Sequence, residues 1–107
     1  MYTEFNGRVW SSEENYLKFQ LNVRKNLKAS LALENYADCE GKDEIYKDEA
    51  FVLLKEFRSK QNEMTEYELL EITESIIKKF DELFAKIGQE KFVFYDDGDV
   101  NYIWQNN

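Results

Sequence analysis

The acidic segment Asp96-Asp97-Gly98-Asp99 is the part of the sequence whose residue types could do chemistry. Carboxylates beside a glycine supply the oxygen ligands that a hard cation such as Ca²⁺ prefers. An EF-hand spreads its ligands over about twelve residues and closes with a glutamate, and this segment does not have that spacing. We therefore expect an acidic turn at the tip of a hairpin, with no bound metal and no cofactor.

Catalysis finds little support elsewhere in the chain. The sequence has no histidine, which removes the usual general base near neutral pH and the commonest zinc ligand. Cys39 is the only cysteine, so no intrachain disulfide is possible and no histidine is present to activate the thiol. The sequence therefore predicts a protein that is not an enzyme.

Acidic residues are concentrated in the later part of the chain. The formal net charge is −8, and residues 1–42 are neutral overall, so residues 43–107 carry the whole net charge. A field of one sign attracts partners of the opposite sign and repels nucleic acid. Our main hypothesis is a small inhibitor, comparable to bacterial immunity proteins or phage DNA mimics, that covers the basic site of a nuclease or another nucleic-acid enzyme.

This hypothesis predicts partner-binding residues in two acidic clusters and a set of aromatic anchors. A rigid array of carboxylates can occupy a site built for phosphates, and aromatic side chains often anchor protein interfaces. The predicted contact residues are Glu63, Glu66, Glu68, Glu71, Glu74, Asp96, Asp97, Asp99, Tyr95, Tyr102 and Trp104.

Two other functions fit the composition. Apolar side chains fall on both faces of the predicted C-terminal hairpin, so one face needs a second layer or a partner, which favours a non-catalytic regulatory domain that self-associates. In addition, Gly7-Arg8-Val9-Trp10 and residues 17–25 resemble the opening strands of OB-fold single-stranded DNA-binding proteins. That resemblance implies a nucleic-acid-binding module that uses aromatic stacking and a basic groove.

Length and hydropathy set the class of protein. A chain of 107 residues predicts one domain, residues 1–107. No apolar run approaches the roughly 20 residues that cross a membrane. The first residues lack the basic and apolar regions of a signal peptide, so we expect a cytoplasmic protein.

Strands are predicted at both ends of the chain. Asn6-Gly7 makes residues 2–10 either a small hairpin or one bulged strand. The alternation of Leu17, Phe19, Leu21 and Val23 with polar residues predicts a half-buried strand. A capping box from Ser11 to Glu14 would instead begin a helix there.

The C-terminal strands are predicted over residues 91–95 and 100–104. Asp97-Gly98 suits a two-residue type I′ turn between them. That turn places Tyr95 opposite Val100 and Val93 opposite Tyr102.

Helices are predicted over residues 25–36, 43–60 and 65–88. The third has the clearest signals, because Thr65 and Glu68 form a capping box and Gly88 can end the helix in a left-handed conformation. The resulting fold is α+β in the order β-β-α-α-α-β-β, with one antiparallel sheet packed on three helices. A mostly helical bundle with a C-terminal hairpin is the alternative.

Overall fold

Three α-helices make up most of the computed structural model, which describes residues 3–5, 8–88, 93–95 and 101–103. Helix α1 spans Glu13–Glu40, α2 spans Glu49–Lys60 and α3 spans Glu66–Lys86. Two short 3₁₀ helices, Asp43–Lys47 and Gln61–Glu63, lie between them. The mostly helical alternative therefore agrees with the structure.

The predicted single sheet is wrong. Strand β1 (Thr3–Phe5) pairs antiparallel with β2 (Arg8–Trp10), and β3 (Val93–Tyr95) pairs antiparallel with β4 (Asn101–Ile103). The described strands thus form two separate two-stranded pairs rather than one α+β sheet. Each pair joins strands that are neighbours in sequence, so the described strands at the two ends of the chain do not share one ladder.

The strand predicted over residues 17–23 is also wrong, because these residues belong to α1. Residues four apart share one face of a helix. Phe19 and Val23 form one such pair on the side of the core, whereas Leu17 and Leu21 form another on the opposite side. Two interleaved helical rows therefore produce the alternation of a strand. The resemblance to OB-fold strands fails with it, and we do not propose a single-strand-binding module.

The ends of α1 are set by a serine and a glycine. Ser12, not the predicted Ser11, is the N-cap, and its hydroxyl accepts a hydrogen bond from the backbone N–H of Asn15 at 3.1 Å. The helix continues well beyond the predicted end near residue 36. It ends before Gly41, whose φ of 66° lies in the left-handed region that a side chain disfavours.

The helix predicted over residues 43–60 is interrupted at Asp48. Asp48 has an extended backbone and its carboxylate accepts from the Ala50 N–H at 3.0 Å, so it acts as the N-cap of α2. The residues before it form the 3₁₀ helix instead. Ala50, Leu54 and Phe57 are buried on one face of α2.

The predictions for α3 are confirmed. The Thr65 hydroxyl accepts from the Glu68 N–H at 3.2 Å, and the Glu68 carboxylate accepts from the Thr65 N–H at 3.0 Å. Gly88 has a φ of 78° just after the helix. One apolar stripe of the helix is buried, and it contains Leu69, Ile76, Phe80, Leu83 and Phe84.

Helix α3 lies at the centre of the described helices. It packs against both α1 and α2, whereas α1 and α2 make few contacts with each other within the described part of the chain. None of the described helices has the length and apolar character needed to span a membrane. The fold therefore leaves a groove between α1 and α2, beside α3.

The C-terminal strands are shifted in register from the predicted pairing within the residues that the structure describes. Tyr95 pairs with Asn101, Phe94 with Tyr102 and Val93 with Ile103. The predicted pairs, Tyr95 with Val100 and Val93 with Tyr102, are wrong by one residue, which moves side chains to the other face of a ladder. The Asp97-Gly98 turn lies outside the described residues.

Candidate functional site

The acidic cluster of residues 63–74 does not form a free array. The Glu66 carboxylate accepts hydrogen bonds from the Ser11 N–H at 2.8 Å, from the Ser11 hydroxyl and from the Asn15 amide at 2.6 Å. Partial burial raises the pKa of Glu66, but these hydrogen bonds outweigh that effect and the net pKa is lowered. Glu66 therefore fastens the start of α1 to the start of α3.

Two further acids of this cluster also have intramolecular roles. Glu68 completes the capping box of α3, and Glu74 forms a 2.8 Å ion pair with Lys18 of α1. Glu63 and Glu71 are exposed. Three of the five predicted contact residues on this segment thus hold the fold together.

The other predicted contact residues are only partly described. Tyr95 and Tyr102 lie in β3 and β4, opposite Asn101 and Phe94 respectively. The remaining members, Asp96, Asp97, Asp99 and Trp104, lie outside the described residues.

A groove between α1 and α2 is the candidate site with the more apolar lining. Its volume is about 210 Å³. Apolar side chains dominate its walls, and three polar residues accompany them. The lining residues are Phe19, Val23, Asn26 and Leu27 of α1, Leu54, Phe57 and Arg58 of α2, and Gln61.

The base of this groove is fixed by a buried polar network. The Asn22 amide donates to the Thr73 hydroxyl at 3.2 Å, and the Asn26 amide donates to the Thr73 carbonyl at 3.0 Å. The Thr73 hydroxyl in turn donates to the Leu69 carbonyl at 2.8 Å. The Asn26 Oδ1 atom has no hydrogen-bond partner among the described residues, although Asn26 is only 2 % exposed. The network sets the register of α1 on α3.

Aromatic rings stiffen one end of the groove. The Phe19 ring lies 5.0 Å from the Trp10 ring and 6.1 Å from the Phe57 ring, between centroids. Such offset and edge contacts are favourable beyond the area that they bury. Arg8 closes the same end, because its guanidinium donates to the carbonyls of Gln61 and Asn62 at 3.1 and 3.3 Å.

The rim of the groove continues onto an exposed row of leucines. Leu27 lines the groove and is 41 % exposed, and Leu31, one turn further along α1, is 47 % exposed. Leu17 is 52 % exposed on the outward side of the same helix. The sequence contained the signal for these residues, because leucines four residues apart already mark a second apolar row. Leu27 and Leu31 lie in the helix predicted over residues 25–36, and only Leu17 was assigned to the predicted strand.

A larger hollow, of about 530 Å³, lies between the first 3₁₀ helix and the end of α3. Two of its three lysines already have partners, since Lys86 pairs with Asp48 at 2.8 Å and Lys42 donates to the Tyr36 hydroxyl at 2.9 Å. These contacts leave it less suited to a ligand than the α1–α2 groove.

Metal chemistry finds no support in the described part of the chain, where no group of three or more side chains could hold an ion. Cys39 is exposed near the end of α1.

No known protein family, curated protein or solved structure matches this chain. The proposals below therefore rest on its own residues.

Proposed function

We propose that this protein is a non-catalytic interaction domain that self-associates through the α1–α2 groove and the leucines beside it. The proposal rests on one observation: the apolar groove and the exposed leucines of α1 form one continuous surface. Leu27 lines the groove and is also exposed beside Leu31. Contiguous exposed apolar surface of this kind marks interaction sites more often than isolated exposed leucines do.

Burial of these leucines would drive the association. Fully burying a leucine side chain contributes about 1.5–3 kcal/mol, and a symmetric pair buries each residue twice. A surface formed by one helix and one groove is small compared with stable dimer interfaces, so we expect a weak dimer that dissociates on dilution.

The test is sedimentation velocity over a wide range of protein concentration, at low and at high salt. The wild-type protein should shift from monomer to dimer as concentration rises, and high salt should not abolish the dimer because apolar burial is not screened. Leu31→Ser should remain monomeric at concentrations where wild type is dimeric. Val52→Ser is the matched control, since Val52 is 57 % exposed on α2 outside the groove.

A wild-type protein that stays monomeric throughout would contradict self-association. Equal weakening by Leu31→Ser and Val52→Ser would show instead that the contact surface lies elsewhere.

A second candidate function is the acidic inhibitor of a nucleic-acid enzyme. The net charge of −8 and the exposed Glu63 and Glu71 favour it. Charge-driven association should slow as salt rises, and it should slow further when Asp96, Asp97 and Asp99 are replaced by Asn. A basic enzyme captured with the same yield at low and high salt would argue against this candidate.

A further inference from the structure

We infer that two copies of this chain pair antiparallel along α1 about a two-fold axis at Leu27, so that each copy covers the groove of the other. This inference rests on the proposed self-association and specifies its geometry. Three features of the described residues support it: the spacing of side chains along α1, the shape of the groove and the position of Arg58.

The side chains along one row of α1 are symmetric about Leu27. Val23 and Leu31 stand four residues before and after it, and Gln20 and Glu34 stand seven residues before and after it. These spacings keep all five residues on one helix face. Reversal of a second helix about Leu27 therefore places apolar residues against apolar residues at the centre of the seam.

The polar ends of the row favour the antiparallel direction. Reversal brings the Gln20 amide opposite the partner's Glu34, where the amide can donate to the carboxylate. A parallel pair would instead place the two Glu34 carboxylates side by side, and like charges at that distance repel. A C2 pair of this kind is a closed dimer, because every contact from one copy to the partner is repeated from the partner to the first copy.

The groove provides space for the partner's side chains. Val23 and Leu27 of the symmetric row form its α1 wall, and Leu54 and Phe57 form the facing wall on α2. Apolar cavities of about 150 Å³ hold a benzene-sized group, so 210 Å³ accommodates an inserted leucine. The partner's Leu31, opposite Val23, lies at the level of these walls.

Arg58 gives an independent indication of direction. It is exposed at the groove and follows Phe57, whose ring lies 6.1 Å from that of Phe19. Arg58 therefore lies at the level of Phe19 and Gln20 on α1. In the antiparallel pair that level is opposite the partner's Glu34, so a cation meets a carboxylate at each end of the interface.

Disulfide trapping tests this geometry. In a Cys39→Ser background, Leu27→Cys places two thiols at the two-fold axis, where a short Cβ separation permits a disulfide. Mild oxidation with copper phenanthroline should convert Leu27→Cys to a covalent dimer at least tenfold faster than Val52→Cys, although Val52 is the more exposed position. Circular dichroism confirms that each variant retains its helices.

A charge exchange supplies a second readout. Arg58→Glu should raise the dimer dissociation constant several-fold at low salt, and Glu34→Arg in the same chain should restore most of the loss. If wild type sediments as a dimer but Leu27→Cys is trapped no faster than Val52→Cys, the antiparallel geometry is overturned and self-association stands. If the wild-type protein is monomeric at every concentration, both proposals fall.

Discussion

The two sides of α1 differ in how completely they are covered. The side that faces α3 is sealed, with Phe19 and Leu33 of α1 and Ile76 and Phe80 of α3 at most 2 % exposed. The side that faces α2 remains open along the groove, and the outward side carries exposed leucines. A single helix thus has more apolar surface than its own fold buries. The difference separates the surface that specifies the fold from the surface that is available to a partner.

The largest expected effect comes from a variant that tests the buried packing of α1 on α3. Phe80→Ala should lower the free energy of unfolding by about 3–5 kcal/mol, because it removes a fully buried ring from the centre of α3 and leaves a cavity. Urea unfolding followed by circular dichroism measures this change. Val52→Ala, at an exposed position, should change it by less than about 0.5 kcal/mol. Similar effects for both variants would mean that α3 does not pack as described.

An intermediate effect tests the polar network under the groove. Thr73→Val keeps the shape of the side chain but removes the acceptor for the buried Asn22 amide, which should cost about 1–3 kcal/mol. In an Asn22→Leu background the same change should cost much less, because no buried donor is left without an acceptor. Equal costs in both backgrounds would show that the Asn22–Thr73 hydrogen bond does not contribute to stability.

The smallest effect concerns the tie between α1 and α3. The pKa of Glu66 in the folded protein lies below its ordinary value of 4.5, so the stability that it contributes is present above that pH and is lost as the pH falls through the folded-state pKa. Glu66→Gln should cost about 1 kcal/mol at neutral pH, and this cost should shrink as the pH falls below 4.5 through the folded-state pKa. Thermal unfolding across this pH range measures the change, with the exposed Glu63→Gln as control. If the loss of stability caused by Glu66→Gln does not change with pH, it comes from the shape of the side chain and not from its charge.

The sequence predicted α3 well because its signals are local. A capping box, one continuous apolar stripe and a terminal glycine all lie within the helix itself, and all three agree with each other. For α1 the local signals conflicted. Apolar rows on two faces gave a period of two over residues 17–23, so this part of α1 was interpreted as a strand, whereas residues 25–36 were predicted as helix.

The candidate site was harder to predict than the helices. Its walls come from two helices that pack mainly on α3 and make few contacts with each other, and no local sequence pattern indicates which helix lies at the centre of a bundle. The inhibitor hypothesis assigned Glu66, Glu68 and Glu74 to a partner, whereas Glu66 and Glu68 accept hydrogen bonds from other residues of the chain and Glu74 forms an ion pair with Lys18. Residue types alone show which side chains can form ion pairs but not which ones the fold already uses.

Trp10 gives this molecule an optical reporter beside the groove. Its indole is fully buried against Phe19, and its Nε1 atom has no hydrogen-bond partner among the described residues. An indole in such dry surroundings emits at shorter wavelength than one in water. With Trp104 replaced by Phe, the emission of Trp10 as the single tryptophan would report the surroundings of Phe19 directly. Occupation of the groove and loosening of the α1–α3 contact would then shift the spectrum in ways that can be followed in real time, without any label.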